Sequence, residues 1–254
     1  MASLLELAAV TVRYGGLNAV DNVSLGVQAG EVCAVIGPNG AGKTTLFNVV
    51  TGNAQSTAGR ILFRGEEIQR LSPHEIAARG VRRTFQLGAL FGELTALENV
   101  LTGLHTEIES GLLGLLLGSR RARAAEQAAT AEARQLLELM EIGHLADRPA
   151  RELSGGQQRM VEIVRAVASK PQLLLLDEPA VGLAPPMRAH LESVIRSLAK
   201  ERQTGILVIE HAIELVMNIS DRVIVLNYGV KIADAPPAEA RANKAVLEAY
   251  LGHA

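Results

Sequence analysis

The 254-residue sequence lacks three features, and each absence narrows the class of protein. It has a single cysteine, Cys33, which excludes an internal disulfide and, within an apolar segment, favours a buried structural thiol. Its net charge is only −2, from 25 basic and 27 acidic residues, so bulk charge does not favour nucleic acid as a partner. No apolar run reaches the roughly 18 residues that a membrane span needs, and no signal peptide is expected. These absences predict a cytosolic or cytosol-facing protein that reaches a membrane only through a partner.

The most specific pattern in the sequence is a glycine-rich stretch that ends in lysine and two threonines. It follows an apolar run, residues 32–36, and precedes a segment predicted to be helical, residues 44–51, which is the setting of a phosphate-binding loop. The stretch comprises Gly37, Pro38, Asn39, Gly40, Ala41, Gly42, Lys43, Thr44 and Thr45. Glycines let backbone N–H groups approach phosphate oxygens, and the following helix N-terminus adds partial positive charge. We therefore predict a nucleoside triphosphate site in which Lys43 contacts the β- and γ-phosphates and Thr44 ligates Mg²⁺.

Two acidic residues follow a second apolar run, residues 173–176, without interruption. The run predicts a buried strand beside the strand that leads into the glycine-rich loop. Asp177 at its tip is then placed to reach the coordination shell of Mg²⁺, and Glu178 to orient and deprotonate an attacking water. The alternative is that the two acids only cap a helix or lie in a loop.

A third pattern, Ser154-Gly155-Gly156-Gln157, combines a helix-capping box with two glycines. Exposed backbone N–H groups at such a helix N-terminus form a second anion-binding surface. One chain does not easily bring this surface onto the γ-phosphate held by its own glycine-rich loop, whereas a second subunit could. A plain capped helix would explain Ser154 and Gln157 but not both glycines.

The order of predicted elements indicates an α/β fold with a mostly parallel, layered sheet. Residues 4–14 and 19–27 alternate apolar and polar positions around Gly15 and Gly16, which predicts a β-hairpin. Helical periodicity replaces the strands over residues 87–151, so we predict a single domain, 1–254, whose core (1–86 and 152–254) carries a helical insert. A further strand is expected at residues 81–86, and the C-terminal residues 237–251 are predicted to be helical.

With these motifs in order, the chain resembles the nucleotide-binding subunit of an ATP-binding cassette (ABC) transporter over nearly its whole length. The resemblance implies a P-loop NTPase core with an N-terminal antiparallel β-subdomain and an inserted α-helical subdomain. It also implies that ATP and Mg²⁺ are bound between two subunits. The phosphate loop of one subunit would then face Ser154, Gly155, Gly156 and Gln157 of the other.

The same resemblance assigns roles to single residues that are weak signals on their own. Tyr14 matches the aromatic residue that stacks on adenine, although packing within the hairpin explains it equally well. Gln86 matches the glutamine that reaches Mg²⁺ and the attacking water, but a solvated glutamine would look the same. Glu178 matches the catalytic carboxylate, and His211 matches the histidine that senses the γ-phosphate, where an ordinary loop histidine is the alternative.

Segments 81–86, 90–100, 209–222 and 249–252 and the insert at 105–131 resemble ATPases of branched-chain amino-acid uptake systems. These are bacterial importers in which two ATPase subunits, two transmembrane permease subunits and an extracytoplasmic solute-binding protein cooperate at the membrane, with the ATPases on its cytoplasmic face. Residues 112–117 are a candidate contact with the permeases or a surface loop. Ala212 and Ala235 depart from the family pattern, and pairing with itself or with a sister ATPase stays open. Three alternative functions also stay open: import of urea or amides, the role of a soluble ABC ATPase, and that of a P-loop kinase.

Overall fold

Two β-sheets organise the chain in the structure, a computed structural model that describes residues 3–84, 90–104 and 120–251. The strands are β1 (Leu5–Tyr14), β2 (Leu17–Val27), β3 (Val32–Ile36), β4 (Ala58–Phe63), β5 (Glu66–Glu67), β6 (Val81–Arg83), β7 (Leu173–Asp177), β8 (Gly205–Ile209), β9 (Arg222–Asn227) and β10 (Val230–Ala235). The first sheet is antiparallel in the order β2-β1-β4-β5. The second has the order β10-β9-β3-β8-β7-β6 and is parallel except for its β9–β10 edge. The α/β layering and the N-terminal antiparallel strands predicted from sequence are thereby confirmed.

The helices connect and cover these strands. They are α1 (Lys43–Val50), α2 (Pro73–Ala78), α3 (Ala96–Leu104), α4 (Arg120–Leu139), α5 (Gly155–Ala168), α6 (Pro185–Arg202), α7 (Ile213–Ile219), α8 (Pro237–Ala242) and α9 (Lys244–Leu251). Short 3-10 turns lie at Gly143–Leu145 and Ala150–Glu152. Within the ranges that the structure describes, no helix combines the length and hydropathy that crossing a membrane requires.

The chain divides into two compact units. The first contains Met1–Arg83, Gln172–Ala180 and Leu191–Ala254, and the second contains Thr84–Pro171 and Val181–His190. The second unit thus contains more than the insert predicted at residues 87–151, because α5 belongs to it. In that unit α3 lies close against α5: a Cβ added at Gly103 would come within 2.3 Å of the Arg165 carbonyl oxygen.

The two faces of β3 separate the core of the first unit into two layers. Cys33 and Val35 share one hydrophobic cluster with α1 and with the antiparallel sheet. Ala34 and Ile36 point to the other cluster, which includes residues of α7, α8 and α9. Burial on both faces explains why this strand reads as a continuous apolar run. Cys33 is fully buried, and that burial raises the pKa of its thiol, as expected of a structural cysteine.

In the second unit, Asn99 of α3 is fully buried and fixes the segment before its own helix. Its Nδ2 donates to the carbonyl oxygens of Phe91 at 3.0 Å, Leu94 at 3.3 Å and Thr95 at 2.9 Å. Its Oδ1 accepts the Phe91 N–H at 2.9 Å. The carbonyl oxygens of Phe91, Leu94 and Thr95 also accept backbone N–H groups, from Leu94, Ala150 and Asn99 respectively. The buried side chain therefore adds a second donor to each of them and gives the Phe91 N–H its acceptor.

Two sequence predictions are corrected. The strand that ends in Asp177 does not lie beside β3, because β8 lies between β7 and β3. The order of parallel strands depends on which positions the crossover connections skip, and local sequence patterns do not record this.

The terminal helical segment is interrupted at Asn243, whose backbone is extended (φ −72°, ψ 123°) and whose Oδ1 accepts the Ala245 N–H at 2.9 Å. Asparagine at such a position favours starting a new helix over continuing the old one.

Candidate functional site

The glycine-rich loop between β3 and α1 adopts a backbone that only glycine accommodates easily. Gly37, Gly40 and Gly42 have φ angles of 148°, 79° and 98°. A Cβ added at Gly37 would lie 2.1 Å from the Leu226 carbonyl oxygen, and one at Gly42 would lie 2.2 Å from the Ala19 carbonyl oxygen. The loop therefore has a concave backbone with amide groups available for an anion, because the first N–H groups of α1 have no partner within the helix.

Lys43 opens α1, and its side chain is folded into the loop. Only 6% exposed, it places its Nζ 2.7 Å from the Gly37 carbonyl oxygen and 3.0 Å from that of Pro38. Burial lowers the pKa of this ammonium group, while the negative charges of Glu178 and Asp177 act in the opposite direction. The Lys43 ammonium group is thus a buried cation held within the loop, where phosphate oxygens are expected to bind.

A cavity of about 270 Å³ lies over this loop. Its wall is formed by Leu17, Asn18 and Ala19 of β2, by Asn39, Gly40, Ala41, Gly42, Lys43, Thr44 and Thr45, and by Glu178, His211 and Tyr228. The structure thus brings most of the predicted phosphate-binding residues, Lys43 among them, together with Glu178 and His211. Tyr14 is 54% exposed at the end of β1 and lies outside this wall.

The carboxyl end of β7 carries the two acids to this edge of the parallel sheet. Asp177 pairs in register with Ile209 of β8, which pairs in turn with Val35 of β3, so the three strand ends are level. Glu178 follows with φ 50°, a left-handed backbone that is strained for a side chain of this size. Its Oε1 lies 3.2 Å from Nε2 of His211. One carboxylate and one imidazole therefore face each other at the rim of the cavity.

Glu210 is a site residue that sequence reasoning missed. Its side chain is buried, with the residue 2% exposed, and accepts three backbone N–H groups: Ala180 at 2.9 Å, His211 at 2.9 Å and Ala212 at 3.1 Å. It therefore connects the segment after Glu178 to the segment that carries His211. The available signal was an acid at the end of an apolar strand, directly before the predicted histidine.

A second residue missed from sequence is Tyr228, in the turn between β9 and β10. Its φ is 46°, and the residue is 85% exposed beside the cavity. The next residue, Gly229, donates its N–H to the Ala41 carbonyl oxygen at 3.1 Å and accepts the Asp21 N–H at 2.8 Å. The turn is thus bonded both to the phosphate loop and to β2.

The C-terminal helix α9 also contributes to a cavity at the phosphate loop. This space of about 280 Å³ is bounded by Pro38, Asn39 and Ala41 on one side and by Ala245, Glu248 and Ala249 on the other. Burial raises the pKa of the nearby Tyr250 phenol, and the backbone amide of Gly37 acts in the opposite direction. The last described residues therefore lie against the loop that begins at Gly37.

The buried end of β7 also contacts a basic residue that sequence reasoning did not assign. Arg83 Nη2 lies 2.8 Å from Asp177 Oδ2, and the two side chains are 7% and 1% exposed. Arg83 Nη1 donates to Asn48 Oδ1 at 2.7 Å, and its guanidinium carbon lies 5.4 Å from the centre of the Phe47 ring. Asp177 is therefore paired with a fixed cation that is anchored on α1.

In the second unit, the Ser154–Gln157 pattern forms the predicted cap of α5. The Ser154 hydroxyl accepts the Gln157 N–H at 3.3 Å, and Gln157 Oε1 accepts the Ser154 N–H at 2.9 Å. The two glycines differ: a Cβ at Gly155 would meet no described atom within 4 Å, whereas one at Gly156 would lie 2.7 Å from the Gly182 carbonyl oxygen. Gly155 is exposed and Gly156 is buried. An open helix N-terminus is thus available to a ligand or a partner.

A magnesium ion fits the chemistry of these residues. Across the described ranges, no group of three or more His, Cys, Asp or Glu side chains forms a cage for a metal ion. Mg²⁺ usually takes one or two protein oxygens together with water and substrate phosphates, and the Thr44 hydroxyl and the Asp177 carboxylate are donors of that kind. Gln86, the third predicted ligand, and residues 112–117 lie outside the described residues.

Comparison with known families gives two matches. Residues 20–181 match the family described as ABC transporter. Residues 230–254 match the family described as branched-chain amino acid ATP-binding cassette transporter.

Individual relatives match over almost the full chain. The high-affinity branched-chain amino acid transport ATP-binding protein BraF of Pseudomonas aeruginosa is 45% identical over 99% of this chain and 98% of its own length. The corresponding LivG protein of Escherichia coli is 43% identical over the same shares. Among solved structures, an ABC transporter cassette in its ADP conformation superposes with a TM-score of 0.84 at 33% identity, covering 100% of both chains. A dimeric cassette in a post-hydrolysis state with ADP and Pi gives 0.79 at 26% identity over 92% of this chain and 98% of that one.

Proposed function

The chain belongs to the ABC transporter family, and on that premise we propose that it is the ATP-hydrolysing subunit that powers uptake of branched-chain amino acids. The observation that carries the ATPase activity is that Glu178, His211 and Lys43 line one cavity over the phosphate loop. The solute class is supported by the similarity to BraF and LivG and by the family match at residues 230–254. No feature of the cavity itself bears on the transported solute.

The phosphate loop holds the triphosphate of ATP in this proposal. The amides of residues 37–45 donate to phosphate oxygens, and Lys43 exchanges its contacts with the Gly37 and Pro38 carbonyl oxygens for contacts with the β- and γ-phosphates. Thr44, Asp177 and Gln86 would hold Mg²⁺, which when bound neutralises charge on the phosphate groups. Tyr14 supports the adenine ring by stacking at the outer end of the site.

Glu178 is the general base in this proposal. Its carboxylate is placed at the rim of the cavity by the left-handed backbone that follows β7. It accepts a proton from the water that attacks the γ-phosphate. His211, whose Nε2 lies 3.2 Å from the Glu178 carboxylate, orients that carboxylate and contacts the γ-phosphate. Glu210 keeps the backbone of His211 in place through its hydrogen bonds to two successive amides.

A second ATPase subunit completes the site. Ser154, Gly155, Gly156 and Gln157 of that subunit would donate to the γ-phosphate through their helix N-terminus. The dimeric relative with ADP and Pi supports pairing of two cassettes. We further propose that residues 1–254 act as one ATPase domain. It would work with two transmembrane permease subunits and an extracytoplasmic solute-binding protein, at the cytoplasmic face of the membrane.

The substitution Glu178→Gln tests this mechanism. It removes the proton acceptor while keeping the size and polarity of the side chain, so we expect ATP binding to persist and kcat to fall by about 10² to 10⁴-fold. In the presence of ATP, a closed dimer of the variant should then accumulate, and light scattering during gel filtration measures it. Leucine, isoleucine and valine uptake into vesicles containing the full transporter should fall in parallel. Glu214→Gln, an exposed glutamate in the first turn of α7, is the matched control. Near wild-type hydrolysis by Glu178→Gln would show that another group is the base.

A further inference from the structure

The Arg83 side chain occupies a buried position between α1 and the end of β7. One of its terminal nitrogens lies 2.8 Å from Asp177 Oδ2, and the other donates to Asn48 Oδ1 at 2.7 Å. The guanidinium carbon is 5.4 Å from the centre of the Phe47 ring, within the range of a cation–π contact. Three independent contacts thus fix the orientation of this cation. The side chain is 7% exposed, so water screens its charge weakly.

The pair explains how Asp177 is accommodated in the protein interior. Its side chain is 1% exposed, and a buried carboxylate without a counter-charge is strongly destabilising. The Arg83 guanidinium supplies that counter-charge at hydrogen-bond distance. The same carboxylate is the proposed ligand of Mg²⁺, so two cations share one buried anion. A second cation brought to Asp177 must overcome the repulsion of the first.

We infer that Arg83 is a positioning residue for Asp177, which neutralises the carboxylate before the metal–nucleotide complex binds and thereby weakens the hold of the site on Mg²⁺. The inference rests on the proposed function, in which Asp177 is a metal ligand. Neutralisation keeps the end of β7 folded when no nucleotide is bound. The weakened hold favours release of the metal together with the product nucleotide. Asn48 and Phe47 of α1 set the place of the guanidinium, so this side chain links α1 to the end of β7.

The test compares nucleotide affinity with and without the metal. The dissociation constant of a fluorescent, non-hydrolysable ATP analogue is measured at pH 8 in excess EDTA and in excess Mg²⁺, and the ratio of the two values gives the contribution of the metal. Arg83→Met removes the charge and keeps an apolar stem. We expect this ratio to rise at least about tenfold over the wild type, because a unit charge close to the carboxylate has been removed from a weakly screened site. The thermal midpoint of the nucleotide-free variant should fall by about 10 °C.

Two controls separate this role from a purely structural one. Arg82→Met makes the same change at the neighbouring residue, whose guanidinium donates to the carbonyl oxygens of Ala77 and Val81, and it should leave the ratio unchanged. Arg83→Lys restores the positive charge without the planar contacts, so its ratio should return towards the wild-type value. If Arg83→Met does not fold, Asn48→Ala removes one anchor of the guanidinium and should raise the ratio about twofold, because the cation is then held less closely to Asp177.

The outcomes are distinct. An Arg83→Met protein with a lower thermal midpoint but an unchanged ratio would show a structural role only and would overturn the inference. A reduced ratio would overturn it as well, because Arg83 would then assist metal binding. For Asn48→Ala, an unchanged ratio would likewise overturn the inference. A wild-type protein whose affinity does not depend on Mg²⁺ would contradict the metal role of Asp177 itself, which is a failure of the proposed function and of the inference built on it.

Discussion

The two glycines at the start of α5 should respond oppositely to the same substitution, although they are adjacent in sequence. A methyl group added at Gly155 would meet no described atom within 4 Å. One added at Gly156 would lie 2.7 Å from the Gly182 carbonyl oxygen and 3.4 Å from the Leu183 side chain. Real Cβ atoms do not approach oxygen so closely, so the Gly182 carbonyl must move by several tenths of an ångström. Gly155→Ala and Gly156→Ala therefore form a matched pair.

The magnitudes follow from two opposing effects. Alanine is favoured over glycine in a helix by about 1 kcal/mol, and both positions lie in the first turn, where the gain is a part of that value. Overpacking of a filled site costs about 1–3 kcal/mol. Gly155→Ala should therefore be neutral or slightly stabilising. Gly156→Ala should lose about 1–2 kcal/mol, which at this chain length lowers the thermal midpoint by about 2–8 °C.

Calorimetry of the nucleotide-free proteins measures this difference directly. A second measurement, ATP-dependent dimer formation by Glu178→Gln protein carrying either substitution, tests the proposed role of the helix N-terminus. Gly155→Ala should weaken dimer formation although the single subunit remains stable, because the methyl group occupies space that a partner's γ-phosphate needs. Equal thermal midpoints for the two alanine variants would refute the reasoning about Gly156. Unchanged dimer formation by Gly155→Ala would refute the proposed contact across the subunits.

Two further substitutions test buried polar networks. Glu210→Gln places an amide N–H₂ group against backbone N–H donors. We therefore expect the free energy of unfolding, measured with denaturant, to fall by about 2–4 kcal/mol, and the ATPase rate to fall as well. Glu214→Gln is the exposed control, and unchanged stability of Glu210→Gln would contradict the three hydrogen bonds of Glu210. Asn99→Asp places a carboxylate oxygen against the carbonyl oxygens of Phe91, Leu94 and Thr95 in a fully buried site. We therefore expect a loss of about 3 kcal/mol by the same measurement. Full stability at neutral pH would contradict this unfavourable contact between the new carboxylate and the three carbonyl oxygens.

Local patterns were sufficient to predict much of this fold. The capping box predicted at Ser154 and Gln157 is confirmed, because its bonds join residues three positions apart. Ser72 with Glu75 and Thr95 with Glu98 form the same local motif. The strand-to-helix setting of the phosphate loop was predictable for the same reason, because the glycines are required by the local backbone conformation. The family resemblance then gave the class of the fold, and the comparisons confirmed it.

Features that depend on distant residues were not predictable in this way. The position of β8 between β3 and β7 depends on crossovers, and no single segment records it. Arg83 meets Asp177 across 94 residues of chain, and Glu210 meets Ala180 across 30. Each side chain had an ordinary alternative as a solvated charge, and only the tertiary arrangement shows that it is buried. The different surroundings of Gly155 and Gly156 are invisible to sequence for the same reason.

The close seating of the phosphate loop has a consequence for the thermodynamics of nucleotide binding. Gly37 and Gly42 lie so close to the carbonyl oxygens of Leu226 and Ala19 that neither position has room for a Cβ atom, so the loop has little freedom to adopt other shapes. Lys43 is also restrained, through the Gly37 and Pro38 carbonyl oxygens. Most of the conformational entropy of this segment is therefore lost when the chain folds and not when ATP arrives. Binding to such a preorganised loop proceeds with little ordering of backbone and side chain, so that more of each new contact appears as affinity.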